Sequence, residues 1–186
     1  MSSQVGWAKT GQPVIYSDIG LAKDRSVPGN LEHCVQTLES AIATMPEGVE
    51  TYIWVSDFHG FGFSDCDPRM AAGCLQLFAQ NYPERMGKFI MVDAPYIFHK
   101  MYKLLAPYVD PVTAAKLSFV QGPSGKGGVA ELRAALGEMF DDELVEWMLV
   151  EMAENRCVCR GRWVTSIRCS SAVAYLPSAI SFLTMR

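Results

Sequence analysis

Four short apolar runs alternate with stretches of helical periodicity, and this alternation constrains the fold more than any other feature. Gln12-Pro-Val-Ile-Tyr16 follows a glycine turn and reads as a strand. Thr51-Tyr-Ile-Trp-Val55 is an unbroken run of β-branched and aromatic residues. Lys88-Phe-Ile-Met-Val92 and Leu117-Ser-Phe-Val120 complete the set. Continuous runs of this kind mark strands buried on both faces, the pattern of a parallel sheet. Between them, Leu31, Cys34, Val35, Leu38, Ile42 and Met45 recur at helical spacing. Asn30 is placed to cap that helix, and Pro46-Glu-Gly48 ends it. Met70, Cys74 and Phe78, with Ala71 and Leu75, form one apolar face of a second helix. Asp67 caps it, Pro68 suits its first turn and Tyr82-Pro83 stops it. A third helix over 97–108 puts Ile97, Met101, Leu104, Leu105 and Tyr108 on one side. Asp110-Pro111 opens a short helix before the last strand. Residues 129–137 and 141–154 read as two more helices, with Leu144, Trp147, Met148 and Met152 facing one way. The expected fold is α/β, a mostly parallel β-sheet flanked by helices.

Charge and cysteine usage narrow the function. A net charge of -4 with no Lys/Arg-rich run argues against nucleic acid as a partner. It argues equally against strong, charge-driven attachment to anionic membranes. The first ten residues contain no apolar stretch, so no secretory signal is expected and the localisation is read as cytoplasmic. The 6 cysteines then read as free thiols, with Cys34, Cys66 and Cys74 as small buried hydrophobes. Cys157-Val-Cys159 with Cys169 lacks a C-x-x-C pair and a nearby His, so neither a metal nor a cofactor is expected. The composition changes near the end. Residues 1–156 read as one domain and 157–186 as an apolar tail, uncharged between Arg168 and Arg186. The tail is read as a packed terminal segment or one that inserts at a membrane surface.

Three local patterns bear on chemistry. Gly122-Pro-Ser-Gly-Lys-Gly-Gly128 looks like a phosphate loop but has Gly127 where a Ser or Thr must follow the lysine. A flexible surface loop is expected instead. Asp57-Phe-His59-Gly60 with Ser64 and Asp65 offers a nucleophile, a base and an acid. A serine esterase would need Ser64 on a Gly-x-Ser-x-Gly elbow, and the second glycine is missing. The same loop follows a buried strand, where α/β proteins bind ligands. Asp57 either lines such a site or hydrogen-bonds its own backbone. Glu84 and Arg85 lie in a helix-to-strand link, and Lys116 ends a helix that Asp110 begins. Each of the latter two charges suits the helix dipole at its end.

The order Tyr82-Pro-Glu-Arg-Met-Gly-Lys88, Asp93-Ala94-Pro95 and Asp110-Pro-Val-Thr-Ala-Ala-Lys116 resembles the lipid-binding domain of the CRAL-TRIO family. The likeness runs from about residue 11 to about residue 121, and Trp54-Val-Ser-Asp57 through Ser64 is similar to a family loop. It implies a sheet floor and helical wall around an apolar pocket for the acyl chains of one phospholipid. Glu84, Thr113 and Lys116 match the positions that hold the phosphoinositide head in members binding phosphatidylinositol. The helix over 97–108 matches the family's gate helix, so Ile97, Met101, Leu104, Leu105 and Tyr108 are expected at the pocket or gate, with Phe61, Phe63 and Ser64 at its mouth. An amphipathic lid of this kind can bury its apolar face on the pocket or on a transient membrane surface. Gly62 stands where a side-chain hydroxyl serves phosphatidylcholine. The N-terminal helical lobe of other members has no counterpart in the match. The resemblance therefore implies a non-enzymatic carrier that binds, transfers or presents phospholipid. The alternative is a protein-interaction scaffold for a small GTPase or trafficking partner, its pocket filled by Phe61, Phe63, Phe89 and Phe98. A serine esterase stands third.

Overall fold

The structure, a computed structural model, describes residues 2–22, 24–62, 65, 67–105, 112 and 115–158, without the side chains of 101–105, 157 and 158. Five strands form one sheet in sequential order: β1 (Ser2–Trp7), β2 (Pro13–Asp18), β3 (Tyr52–Asp57), β4 (Met86–Val92) and β5 (Leu117–Val120). β1 is antiparallel to β2, and the remaining three pairings are parallel. The described helices are α1 (Val27–Ala43), α2 (Pro68–Asn81), α3 (Tyr96–Leu105), α4 (Gly128–Gly137) and α5 (Asp142–Val158).

The expected α/β architecture is present, with β3 buried along its whole length. Successive strand residues point to opposite faces, so the register divides the side chains into two sets. Val14, Tyr16, Ile53, Val55, Ile90 and Val92 pack against Leu132 and Leu136 of α4 and against Met148, Leu149 and Met152 of α5. Ile15, Tyr52 and Trp54 face the other way, onto Cys34, Leu38 and Ala41 of α1, with Leu77 and Phe78 of α2 beside them. The crossover helices α1 and α2 thus cover one face, and the helices after β5 cover the opposite one. On the α1 side the Trp54 indole donates to the Ser17 hydroxyl at 2.6 Å, which satisfies a buried N–H inside the apolar layer.

Several local expectations are corrected. β1 was not foreseen: Ser2–Trp7 carries only one β-branched residue, and it pairs with β2 through a bulge between Gln4 and Gly6. α1 begins earlier than an Asn30 cap implies. The Ser26 hydroxyl accepts from the Gly29 N–H at 3.3 Å, and Pro28 fits the first turn because its missing N–H has no helical partner there. Asn30 donates from its side chain to the Asp24 and Ser26 carbonyls instead. α2 begins as expected, with Asp67 accepting from the Arg69 N–H, yet none of its residues is buried and Leu75 is 70% exposed. Cys74 is accordingly half-buried and Cys34 buried. α5 runs to Val158, beyond the expected helix end at 154. Met148 and Met152 are buried as expected, but Trp147 is partly exposed and meets the Tyr16 ring edge-on at 5.6 Å. Among the described residues, no helix is long and apolar enough to cross a membrane.

Candidate functional site

Two of the three expected head-group residues meet. Glu84 lies in the turn between α2 and β4, and Lys116 stands immediately before β5. Because β4 and β5 are parallel neighbours, both positions fall at the same edge of the sheet. The Lys116 main chain is tied in, its carbonyl accepting from the Phe89 N–H at 2.7 Å. The Lys116 ammonium then donates to Glu84 Oε2 at 3.0 Å. The lysine side chain is 20% exposed and the glutamate 89%. Glu84 adopts φ +58°, in the left-handed region that side chains with a Cβ disfavour by roughly 1 kcal/mol. Pro83 precedes it and the Arg85 N–H donates back to the Tyr82 carbonyl at 3.3 Å, so the turn holds the glutamate there. Below the turn, the Tyr82 hydroxyl donates to Glu39 Oε1 at 2.6 Å and fixes the end of α2 to α1. Thr113, the third expected contact, lies outside the described residues.

Next to this pair, the α1 side of the sheet carries half-buried apolar residues. Phe89 and Leu117 are in register, as are Met91 and Phe119, and each row continues the Ile15–Trp54 face. Phe89, Leu117 and Phe119 are only half-buried, although Met91 in the same rows is buried; on the opposite face Ile90 and Val92 of β4 are fully enclosed, while Val120 of the edge strand is half-buried. α3 lies over the far end of this floor. His99 rests on Phe119 with ring centroids 4.4 Å apart. Phe98 joins Phe58 and Phe61 in an aromatic cluster, at centroid distances of 5.1 Å and 6.3 Å. Two of the expected pocket residues, Phe61 and Ile97, are therefore half-buried at the α3 end of the sheet. Phe63, Ser64 and Tyr108 lie outside the described residues, as do the side chains of Met101, Leu104 and Leu105. A cleft of about 540 Å³ opens between α3 and the loop after β5, bordered by Asp93, His99, Phe119, Ser124 and Lys126.

The carboxyl ends of β3 and β4 are locked by a residue that sequence reasoning missed. Arg156 of α5 donates to Asp57 at 2.7 Å and 3.2 Å and to Asp93 Oδ2 at 2.7 Å. Its side chain is 10% exposed and that of Asp57 is fully buried. Burial disfavours the guanidinium charge, but Asp57 and Asp93 more than offset this and hold Arg156 above its ordinary value. Asp93 itself adopts φ +51° and accepts from the Gly122 N–H at 2.7 Å, which pins the loop after β5. Asp57 also accepts from the His59 N–H at 3.0 Å, the local backbone bond expected of it. A third carboxylate near this point, Asp18, is raised above the usual range, first by burial and then by Asp57. Asp57 is thus engaged by Arg156, and Asp65 holds the loop through the Gly62 N–H and Arg25. Ser64, the nucleophile that an esterase would need, lies outside the described residues. The Gly122–Gly128 loop closes on itself through successive turns, with Lys126 N–H donating to Gln121 Oε1 at 2.9 Å. No single residue foretold Arg156: a lone arginine near the end of a helix is ordinarily solvated, and only the tertiary packing of α5 brings it to the strand ends.

The architecture can be set beside known proteins. The family model of the CRAL/TRIO domain matches residues 2–134. Phosphatidylinositol transfer protein PDR17 of Saccharomyces cerevisiae is 27% identical over 121 residues, which cover 62% of this chain and 35% of that protein. SEC14 cytosolic factor of Candida glabrata is 28% identical over 171 residues, covering 75% of this chain and 56% of the relative. The crystal structure of Sfh5 has a TM-score of 0.54 at 18% identity, over 68% of this chain and 48% of that one, which is a likeness of fold. The chain spans between about a third and just over half of the length of the two relatives. With the family model matching from β1 into α4 and the same architecture in a solved structure, the chain belongs to the CRAL-TRIO domain family.

Proposed function

We propose that the chain binds one phospholipid of the phosphatidylinositol type, with its acyl chains on the open part of the α1 face and its head at the Glu84–Lys116 edge. The observation that carries this reading is the juxtaposition of a paired Lys116 and Glu84 with the half-buried row of Phe89 and Leu117. An ammonium suits a phosphate and a carboxylate can accept inositol hydroxyls, so the ion pair opens to take the two halves of one head group. An exposed ion pair of this kind contributes little by itself, which makes its exchange for a ligand inexpensive. Thr113 is proposed as a third contact, and α3 as the gate. The names of the relatives, phosphatidylinositol transfer protein among them, support the same class of ligand. Presentation or transfer of lipid follows from this reading, as does transient contact with a membrane surface and residence in the cytoplasm.

Lipid uptake from mixed vesicles tests the reading. Lys116→Ala is expected to lower phosphatidylinositol uptake about tenfold, the loss of one charge-assisted contact, while phosphatidylcholine uptake changes little. Equal uptake of phosphatidylinositol by both proteins overturns the head-group assignment.

A second reading is favoured by one observation. The Phe58–Phe61–Phe98 cluster occupies space beside α3 with side chains, as a protein-interaction scaffold without lipid would require. It predicts a chain that takes up neither phospholipid and instead retains a small GTPase or trafficking partner.

A further inference from the structure

α3 leaves the sheet at a point that is fastened from a distant part of the chain. The helix follows β4 through Asp93, Ala94 and Pro95. The Asp93 N–H still joins the sheet, donating to the Val120 carbonyl at 3.1 Å. Its carboxylate carries two bonds at once: Oδ1 accepts from the Gly122 N–H at 2.7 Å, and Oδ2 from Arg156 at 2.7 Å. Beyond Asp93 the helix is lightly held. None of Tyr96, Ile97, Phe98, His99 and Lys100 is buried, and Tyr96 is 73% exposed. Arg156 belongs to α5, whereas the family model ends at residue 134, so the match does not include the arginine.

The guanidinium has two arms of different kind. Toward Asp57, whose side chain is fully buried, it makes bonds of 2.7 Å and 3.2 Å. Toward Asp93, whose side chain is 25% exposed, it makes one. The first arm lies in the core and holds α5 to β3. The second meets the chain where α3 turns away, at a residue with φ +51°. That left-handed backbone is disfavoured for residues with a Cβ, so it persists where contacts hold it. The fit is close: a Cβ on Gly122 would run into the Asp93 carboxylate and stand 2.6 Å from an Arg156 nitrogen.

We propose that Arg156 is a positioning residue for α3: its bond to Asp93 fastens the root of the helix, and release of that bond lets α3 swing and so sets the rate of ligand exchange. The last step rests on the reading of α3 as the gate of a lipid site; the fastening itself does not. The partly exposed arm opens first, because water can replace the lost partner of Asp93. Asp57 cannot be left charged and buried without Arg156. Opening at Asp93 therefore frees α3 while α5 stays on the sheet.

Hydrogen–deuterium exchange of the full chain, read by mass spectrometry without added lipid, tests the fastening. Asp93→Asn keeps an oxygen for the Gly122 N–H and removes the charge that holds Arg156. Gly122→Ala wedges the two side chains apart and leaves both charges in place. Both variants are expected to exchange the amides of α3 about three- to tenfold faster, with those of α5 unchanged. Transfer of phosphatidylinositol between vesicles should rise by a similar factor. Unchanged amide exchange in α3 overturns the proposal, and so does an equal rise in α5, the mark of general loosening. A rise with Asp93→Asn alone traces the effect to the lost charge and overturns it too. Faster amide exchange with unchanged lipid transfer overturns the control of ligand exchange. Faster amide exchange in a chain that takes up no lipid, in any variant, supports the fastening and contradicts the lipid reading instead.

Discussion

On β4, neighbouring residues meet different surroundings according to the face they occupy. Ile90 and Val92 are fully enclosed by the layer of α4 and α5, where Leu132, Leu136, Phe140, Met148 and Met152 are equally buried. Phe89, one residue away on the other face, is half-buried, and so are Leu117 and Phe119 beside it on β5. On β5, the edge strand, every residue is half-buried whichever face it occupies, so the contrast between the faces rests on β4, where Phe89 is half-buried and Ile90 and Val92 are not. One face is closed by two helices that follow the sheet in sequence. The other is closed over β2 and β3 by α1, while among the described residues α2 beside β4 buries no residue fully. A sheet that devotes one face to stability can spare part of the other for a ligand. Apolar surface left half-open in this way is a feature of binding sites more than of cores.

Substitutions should separate the faces. Phe140→Ala, on the closed side, is expected to lower unfolding free energy by about 3–5 kcal/mol in urea titrations, through lost burial and a residual cavity. Arg156→Ala should cost about 3 kcal/mol or more, because Asp57 is left charged and buried without its partner. Leu117→Ala, on the open side, should cost only about 1–2 kcal/mol while reducing the amount of lipid retained. If Leu117→Ala proves as costly as Phe140→Ala, the open face is a packed core and the comparison fails.

The smallest expected effect is one of pH. Asp18 has a raised folded-state value through burial, so the folded chain binds its proton more readily than the unfolded chain. The stability that Asp18 contributes is therefore fully present below the ordinary carboxylate range and is lost as pH rises through the folded value. Asp18→Asn should flatten this part of the stability profile measured by thermal unfolding. An unchanged slope would remove Asp18 from the account.

Much of this was legible in the sequence for physical reasons. β3 is buried on both faces, so its apolar character is continuous and cannot be mistaken for a surface element. β5 and the start of α2 were equally plain, the latter because Asp67 and Pro68 act locally. β1 was hidden because Ser2, Ser3, Gln4 and Gly6 have little strand preference, and the strand exists by pairing with β2. Glu84 and Lys116 emerged only through their resemblance to the family motif, since charges 32 residues apart carry no local signal. Asp57 could be read as bonding its own backbone, but its union with Arg156 spans 99 residues and depends on how α5 packs.

The most direct measurement is organic extraction of the full chain purified from cells, followed by mass spectrometry of the extract. The account predicts one phospholipid per chain, enriched in phosphatidylinositol, and its loss together with the Lys116→Ala uptake defect. A correctly folded chain that yields no phospholipid, and takes none up from vesicles, would contradict the claim that the open face of this sheet holds a lipid.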